Sequence, residues 1–543
     1  MTYLLVDRTL STPPLRGQGV SKLISSLYSN VFTTYLPILQ PAIQKRMNSR
    51  YFIALLLLAQ SIITIGQTAS DPEVPYYPSN HPRMVAEWEP AIGVLIAWPL
   101  SIPYKLVVEL AKDTKLQILV EDQKSKQDAI KWLTKWGIYP DRIKFITAPQ
   151  GIDVSWTRDW GPHAVFNPEG NMLLADGRYL YGTPQSGLAC DDSLNFLYVK
   201  DTKEIILTKT DDKLPDYIAS ANDFDMVTLP FSFTGGNVIS DGQRSAFSTC
   251  IITNENRYIG VTDDKFFKDT RKILGIENYN IISNFEDKGI QHIDCFMKLL
   301  DEERIFVMRP PTDHPSRAQY EGIVTHELSK LTNAFGRPYQ ILWLDTDRYH
   351  EDELAAYSNS LILNKNIYVP LFGIPQDSVA LQQWRAAMPG YKVKGFEFVI
   401  AKEPALRPQV KEIYEGIGWD GGDGLHCRTR AIWDPNMIYI SVNRIPATVA
   451  KTASYPLDVI IKDYSKGSLT PESLKVMYRI KGKEEWKELK LTPSDIPDHY
   501  KASFQGGQAG VTIQYYVTAH SNWGSNATMP RTAPQGFFEF KID

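Results

Sequence analysis

IGVLIAWPLSIPYKLVVELAKDTKLQILVED, residues Ile92–Asp122, is the stretch whose reading decides the fold class. It opens on an apolar run, IGVLIAWP (Ile92–Pro99), short enough for a strand buried on both faces. Lys105–Asp113 follows with apolar residues at helical spacing, and LQILVED (Leu116–Asp122) is a second apolar run. Strand, amphipathic helix, strand is the grammar of a sheet covered by helices. The same alternation continues downstream. RIFVMRP (Arg304–Pro310) and SLILNKNIYVPLF (Ser360–Phe372) read as strands, and Ser125–Trp136, Arg317–Phe335 and Asp377–Met388 read as helices. Residues 71–450 are therefore expected to form an α/β body, entered through the Pro-rich approach Asp71–Pro82.

The texture changes after residue 450. LDVIIKD, LKVMYRIKG, WKELKLT, YKASFQG, VTIQYYVTAHS and GFFEFKI alternate with period two and are separated by turn residues. Residues 451–543 are expected to form a small immunoglobulin-like β-sandwich, without the Cys…Trp…Cys pattern of antibody domains. It carries one glycosylation sequon, Asn526-Ala527-Thr528. At the other end, YFIALLLLAQSIITI (Tyr51–Ile65) follows Lys45, Arg46 and Arg50 and precedes small residues. This is signal-peptide grammar, and the run is short of the ~20 residues of a membrane span. Met47 is read as the start, residues 47–70 as the signal peptide and residues 1–46 as an upstream extension. The mature protein is then expected to be secreted, cell-surface or periplasmic, with no stable membrane span.

The chain has 543 residues, 43% hydrophobic and 22% charged, more than one core of about 250–300 residues holds. Its formal net charge of -4 gives no reason to expect nucleic acid as a partner. Its 4 cysteines, Cys190, Cys250, Cys295 and Cys427, show no zinc-type spacing and are too few for a disulfide scaffold. One disulfide is compatible with them, in a pairing the sequence does not specify.

Three segments carry candidate chemistry. In GGDGLHCRTRAI (Gly421–Ile432), glycines that permit close backbone approach precede Cys427. In GIQHIDCFMKLL, His292 and Asp294 would share one face of a strand. In WTRDWGPHAVF (Trp156–Phe166), Asp159 lies between two tryptophans. Each has a plain structural alternative: a buried cysteine, a polar pair at a strand end, and a turn closed by an Arg158–Asp159 ion pair. TGGNVISDGQ (Thr234–Gln243), which contains Gly236, could be a hairpin turn, and EWEPAIG (Glu87–Gly93) a surface acidic pair. Together the pieces suit one substrate. A guanidinium is planar and cationic, so carboxylates hold its nitrogens. Its carbon is a poor electrophile and calls for a thiolate. An imidazole protonates the departing ammonia and activates water.

In their order along the chain, EWEPAIGVLIAWP, WTRDWGP, TGGNVISDG, HID, NSLILN and LHCRT resemble the agmatine deiminase and porphyromonad-type peptidylarginine deiminase family over about residues 83–445. The resemblance implies a pentein α/β-propeller of five ββαβ-type units. It implies Cys427 as nucleophile, His292 as general acid/base, Asp159 and Asp294 as guanidinium-binding carboxylates, and Asn359 near the site. Trp156 and Gly236 are expected to line the substrate pocket. No cofactor and no metal are implied. PTDHP (Pro311–Pro315), AMPGY (Ala387–Tyr391), LHCRT, the leader and the sandwich look like the peptidyl branch, so the substrate expected is an arginine-containing peptide or protein, converted to citrulline and ammonia. Agmatine, giving N-carbamoylputrescine, is the alternative, and a non-catalytic binding protein on the same scaffold is a third reading. The peptidyl branch grips a C-terminal carboxylate with an arginine pair. The corresponding stretch here, YLYGTPQSGLACDD (Tyr179–Asp192), contains no arginine.

Overall fold

The computed structural model describes residues 78–152, 155–180, 210–286, 290–408, 410, 418–419 and 423–543. The extension and signal peptide expected over residues 1–70, Cys190 and most of the Tyr179–Asp192 stretch lie outside these residues. The deciding segment forms the strand Ala91–Ala97, the helix Tyr104–Asp113 and the strand Lys115–Val120. Asp122 then caps the helix Gln123–Lys135 by accepting from the Ser125 amide, satisfying a donor that the first helical turn leaves unpaired.

The body between residues 83 and 433 is α/β with mixed sheets, and one pairing pattern occurs in five of them. Each has an antiparallel pair followed by a parallel neighbour reached through a helix. Arg430–Trp433 pairs antiparallel with Ala91–Ala97, which pairs parallel with Lys115–Val120. His163–Phe166, Met172–Arg178 and Asp225–Ser232 repeat this order. So do Ile239–Ser240, Ser245–Thr249 and Asn278–Ile282. Met297–Leu299, Arg304–Arg309 and Gln340–Asp345 form the fourth case, and Leu361–Leu363, Asn366–Leu371 and Lys392–Glu397 the fifth. The first sheet takes its leading strand from the far end of the body, so residues 430–433 close the chain onto its beginning.

The turns just upstream of the five leading strands are hydrogen-bonded in a closed ring. The Arg158 amide donates to the Cys427 carbonyl (3.0 Å), and the Gly236 amide to Asp159 Oδ1 (3.0 Å). The Ile293 amide donates to Asn237 Oδ1 (3.1 Å), and Ser358 Oγ to the Cys295 carbonyl (2.6 Å). The His426 amide donates to the Asn359 carbonyl (3.1 Å) and completes the circuit.

Two further sheets share one apolar core that includes Val476, Tyr515, Val517 and Phe540. The boundary expected at residue 451 is too late for them. Ile438–Asn443, reading IYISVN, pairs with Ser454–Asp463 and belongs to the C-terminal pair of sheets. Its period-two pattern escapes notice because it follows Arg430–Trp433 after only a short turn. Asn526–Met529, which carries the sequon, is a strand paired with Thr512–His520. Arg83, fully buried, joins body to C-terminal sheets: Nη1 meets Glu89 Oε1 at 2.6 Å, Nε donates to Tyr464 Oη at 3.1 Å, and the guanidinium lies 3.9 Å from the Tyr439 ring centroid. Among the described residues no helix is long and apolar enough to cross a membrane.

Asn237 tests the ring. Its Oδ1 accepts from the Thr249 amide and hydroxyl as well as from Ile293, all buried. Asn237→Ala strands these donors and should lower the unfolding free energy by roughly 2–4 kcal/mol in urea titrations. Asn237→Asp, which keeps the acceptor, should lose less. A loss below about 0.5 kcal/mol for the alanine variant contradicts the structural role given to this link.

Candidate active site

The five turns deliver the residues singled out from sequence. Asp159 sits in the single helical turn Thr157–Trp160, Gly236 in the 3-10 turn Gly235–Asn237, and Asp294 in the 3-10 turn Ile293–Cys295 with His292 at its N-cap. Asn359 precedes Leu361–Leu363, and Cys427 precedes Arg430–Trp433. The His292–Asp294 segment is thus not a strand. The two side chains converge because the tight turn, rather than period-two alternation, aims both at the same centre. TGGN forms a 3-10 turn, while the rest of the stretch enters the hairpin between Ile239–Ser240 and Ser245–Thr249, as the hairpin reading expects.

The structure brings Cys427, His292, Asp159, Asp294, Asn359 and Gly236 together. Asn359 Nδ2 donates to Cys427 Sγ (3.1 Å), and its Oδ1 accepts from the amides of His426 (2.9 Å) and Cys427 (3.3 Å). The buried amide thereby fixes both the backbone and the sulfur of the nucleophile turn. Cys427 Sγ lies 3.8 Å from Asp294 Oδ2, and His292 Nδ1 lies 3.5 Å from Asp159 Oδ1. Gly236 has to be small. A Cβ there would stand 2.4 Å from Asp159 Oδ1, 2.9 Å from His292 Nδ1 and 3.4 Å from Asp294 Oδ2. Trp156 is half-buried, and its indole donates to Asp423 Oδ2 (2.7 Å), which Arg428 holds by a two-point ion pair.

Burial and charge set the protonation states. A hydrogen bond from Cys295 pulls the Cys427 thiol down, but desolvation and the charges of Asp294, Asp423 and Asp159 push it up to about 12. Burial lowers the His292 imidazole, yet Asp159 and then Asp294 outweigh it and raise it to about 9. Burial raises Asp294, while His426 and His292 hold its carboxyl below the usual range. At neutral pH the site thus pairs a protonated thiol with an imidazolium between carboxylates.

Several residues with a part in this arrangement were not assigned one from sequence. Glu87 is no surface acid: it is largely buried and accepts from Lys298 Nζ (3.0 Å) and the Ile362 amide (2.8 Å). His426, next to the nucleophile, is held between carboxylates, Nδ1 to Asp294 Oδ2 at 2.6 Å and Nε2 to Glu87 Oε2 at 2.8 Å. Arg158 Nε donates to the His426 carbonyl (3.3 Å), while Asp159 turns to Gly236 and His292, so the two do not form the closed ion-paired turn expected as the plain alternative. Buried Glu255, bonded to Ser232 and Thr234, adds to the field on His292. Only the EWEP acids and the LHC triplet gave any signal, since nothing in sequence says that segments 339 positions apart touch. Cys295 and Cys427 lie outside any disulfide, and Cys250 is disulfide-bonded.

Comparison with known proteins identifies the family. The model of the Porphyromonas-type peptidyl-arginine deiminase family matches residues 83–400. A protein of Mycoplasma capricolum named “Putative agmatine deiminase” is 24% identical over 306 residues, which cover 51% of this chain and 74% of that protein. One of the same name from Vibrio parahaemolyticus is 23% identical over 305 residues, covering 51% and 75%. A crystallographic structure described as a “putative agmatine deiminase” superposes with a TM-score of 0.50 at 20% identity, over 66% of this chain and 98% of the other, which speaks for a shared fold. The family match begins at the first strand and ends at residue 400, short of the Cys427 turn and Arg430–Trp433, and the chain belongs to the Porphyromonas-type peptidyl-arginine deiminase family of amidine-hydrolysing enzymes.

Proposed function

We propose that this protein is an exported peptidyl-arginine deiminase, converting peptidyl-arginine and water to peptidyl-citrulline and ammonia, on a pentein propeller followed by an immunoglobulin-like sandwich. One observation carries the chemistry: Cys427, His292, Asp159 and Asp294 occupy a single buried cluster in which a thiol faces carboxylates and an imidazolium. The family description favours a peptidyl substrate. The disulfide at Cys250 favours an oxidising compartment, as the leader-like segment does. The names of the relatives favour the second reading, agmatine to N-carbamoylputrescine by the same chemistry.

In this reading Asp159 and Asp294 receive the guanidinium. Its positive charge cancels the field that keeps the Cys427 thiol protonated, so the thiol releases its proton to solvent and the thiolate forms when substrate is present. The sulfur adds to the guanidinium carbon. His292, held protonated by Asp159, donates its proton to one nitrogen, and the C–N bond breaks to release ammonia. The neutral imidazole then takes a proton from water, and hydroxide adds to the thiouronium carbon. Breakage of the C–S bond, with the hydroxyl proton passing to solvent, returns the thiolate and the ureido product. The fixed carboxylates act throughout as preorganised electrostatic partners.

The test is a substrate panel assayed for ureido product: peptides with internal arginine, peptides with C-terminal arginine, and agmatine. Peptides should be turned over with the higher kcat/KM, and Cys427→Ala should abolish turnover of all three. A preference for agmatine overturns the peptidyl reading, and an active Cys427→Ala protein overturns the mechanism. His292 gives a pH prediction. Its folded pKa of about 9 exceeds the unfolded value of ~6.5, so its protonation stabilises the fold fully below pH ~6.5 and is lost as pH rises through 9. The stability difference between wild type and His292→Gln should therefore shrink by about 3 kcal/mol from pH 6 to pH 10. A difference independent of pH contradicts the ion pair with Asp159.

A further inference from the structure

Cys295 lies beside the nucleophile and has no part in the deiminase cycle above. It is fully buried, and its Sγ lies 3.5 Å from Asp294 Oδ1, while Cys427 Sγ lies 3.8 Å from Asp294 Oδ2. The two sulfurs are in hydrogen-bond contact with each other, and Asn359 Nδ2 reaches both, at 3.1 Å from Cys427 and 3.9 Å from Cys295. One ligand atom from each of Asp294, Cys295 and Cys427 falls within 4.8 Å of the others.

Each sulfur faces a different oxygen of Asp294, and a small tetrahedral cation would be gripped by both sulfurs once the carboxylate turns one oxygen toward it. Metal–sulfur bonds of about 2.3 Å and metal–oxygen bonds of about 2.0 Å at tetrahedral angles place sulfur about 3.5 Å from oxygen and about 3.8 Å from sulfur. A disulfide between the same thiols would need the sulfurs to close to about 2.0 Å. Two thiols and one carboxylate form a soft donor set that selects zinc-class ions over magnesium or calcium. The outer contacts are also present: His426 Nδ1 meets the Asp294 carboxylate at 2.6 Å, and Asn359 steadies both sulfurs.

We propose that Cys427, Cys295 and Asp294 form a binding site for a zinc-class divalent cation that reversibly silences the enzyme. The ion is an inhibitor and not a cofactor of the deiminase reaction. Binding forms two metal–thiolate bonds and one metal–carboxylate bond and releases two thiol protons, so affinity rises with pH. The bound ion removes the sulfur lone pair and the carboxylate that the guanidinium needs, and inhibition is competitive with substrate. This last point rests on the reading of Cys427 as the nucleophile, whereas the site itself does not.

The probes are Co2+ and Zn2+ alone, added to the full chain freed of metal. Co2+ should bind at one ion per chain with a thiolate-to-cobalt charge-transfer band in the near ultraviolet, a readout that requires no turnover. Cys295→Ser should diminish that band to about half and weaken binding at least about tenfold. The zinc concentration for half-inhibition, each protein referred to its own uninhibited rate, should rise by the same factor. Should Cys295→Ser fail to fold, the wild type still decides: its cobalt band should have about twice the intensity of a one-thiolate complex, and Zn2+ should displace the cobalt and erase it. A cobalt complex without the charge-transfer band, a wild-type band of one-thiolate intensity, or an unchanged band or unchanged zinc inhibition in Cys295→Ser overturns the proposal. A chain inactive on every guanidine tested but showing the cobalt band keeps the site and rejects the deiminase reading instead.

Discussion

The closed ring of hydrogen bonds between the five turns is the constraint on which the site depends. Five mixed sheets pair their strands in the same order, and each presents, just before its leading strand, a turn that hydrogen-bonds to the turn of a neighbouring sheet. The turns satisfy one another, from Cys427 to Arg158, Asp159 to Gly236, Asn237 to Ile293, Cys295 to Ser358 and Asn359 back to His426. Unpaired polar groups are expensive in a dry interior, so a ring closed in this way fixes its members tightly. The functional side chains ride on those turns, and their mutual distances follow from the ring.

Charge is the second constraint, and it follows from the first. The ring gathers Asp159, Asp294 and Glu87 where water is scarce, and buried charges persist only when paired. Lys298 pairs with Glu87, His292 with Asp159, and Arg158 contributes a buried positive charge behind the nucleophile. His426 lies between Asp294 and Glu87, in contact with both, and thereby ties the carboxylate beside Cys427 to a second one. Burial and the surrounding carboxylates hold the Cys427 thiol protonated. In the proposed reading a guanidinium completes the balance, so that one field would account both for selectivity toward a planar cation and for activation of the thiol.

Much of this was legible in the sequence, for identifiable reasons. Cys427, His292, Asp159, Asp294, Asn359 and Gly236 sit in short motifs whose residue types suit one substrate, and the structure gathers all six. Most strands and helices of the body followed from local periodicity, although the helix read over Arg317–Phe335 ends at His326 and the run Ser360–Phe372 is a pair of antiparallel strands. What escaped was long-range. Glu87 reads as a surface acid until Lys298 and His426 are seen against it, and Cys295 reads as a small core residue until Cys427 is placed beside it. The five-fold recurrence of strand pairing left no sequence repeat, because pairing order depends on backbone geometry and tolerates unrelated side chains. The strand Ile438–Asn443 was assigned to the wrong side of a boundary because a chain can change sheets without changing texture.

The central claim is that Cys427 attacks the guanidinium carbon and holds it covalently after ammonia has left. Acid-quenched intact-mass analysis of the enzyme during turnover of an arginine substrate tests this most directly. The account predicts an adduct, on the peptide containing Cys427, equal to the substrate less ammonia, and its accumulation in the His292→Gln variant when an external acid replaces the missing proton donor. An enzyme that forms ureido product with no adduct at Cys427 in either protein, or with the adduct on another residue, would contradict it.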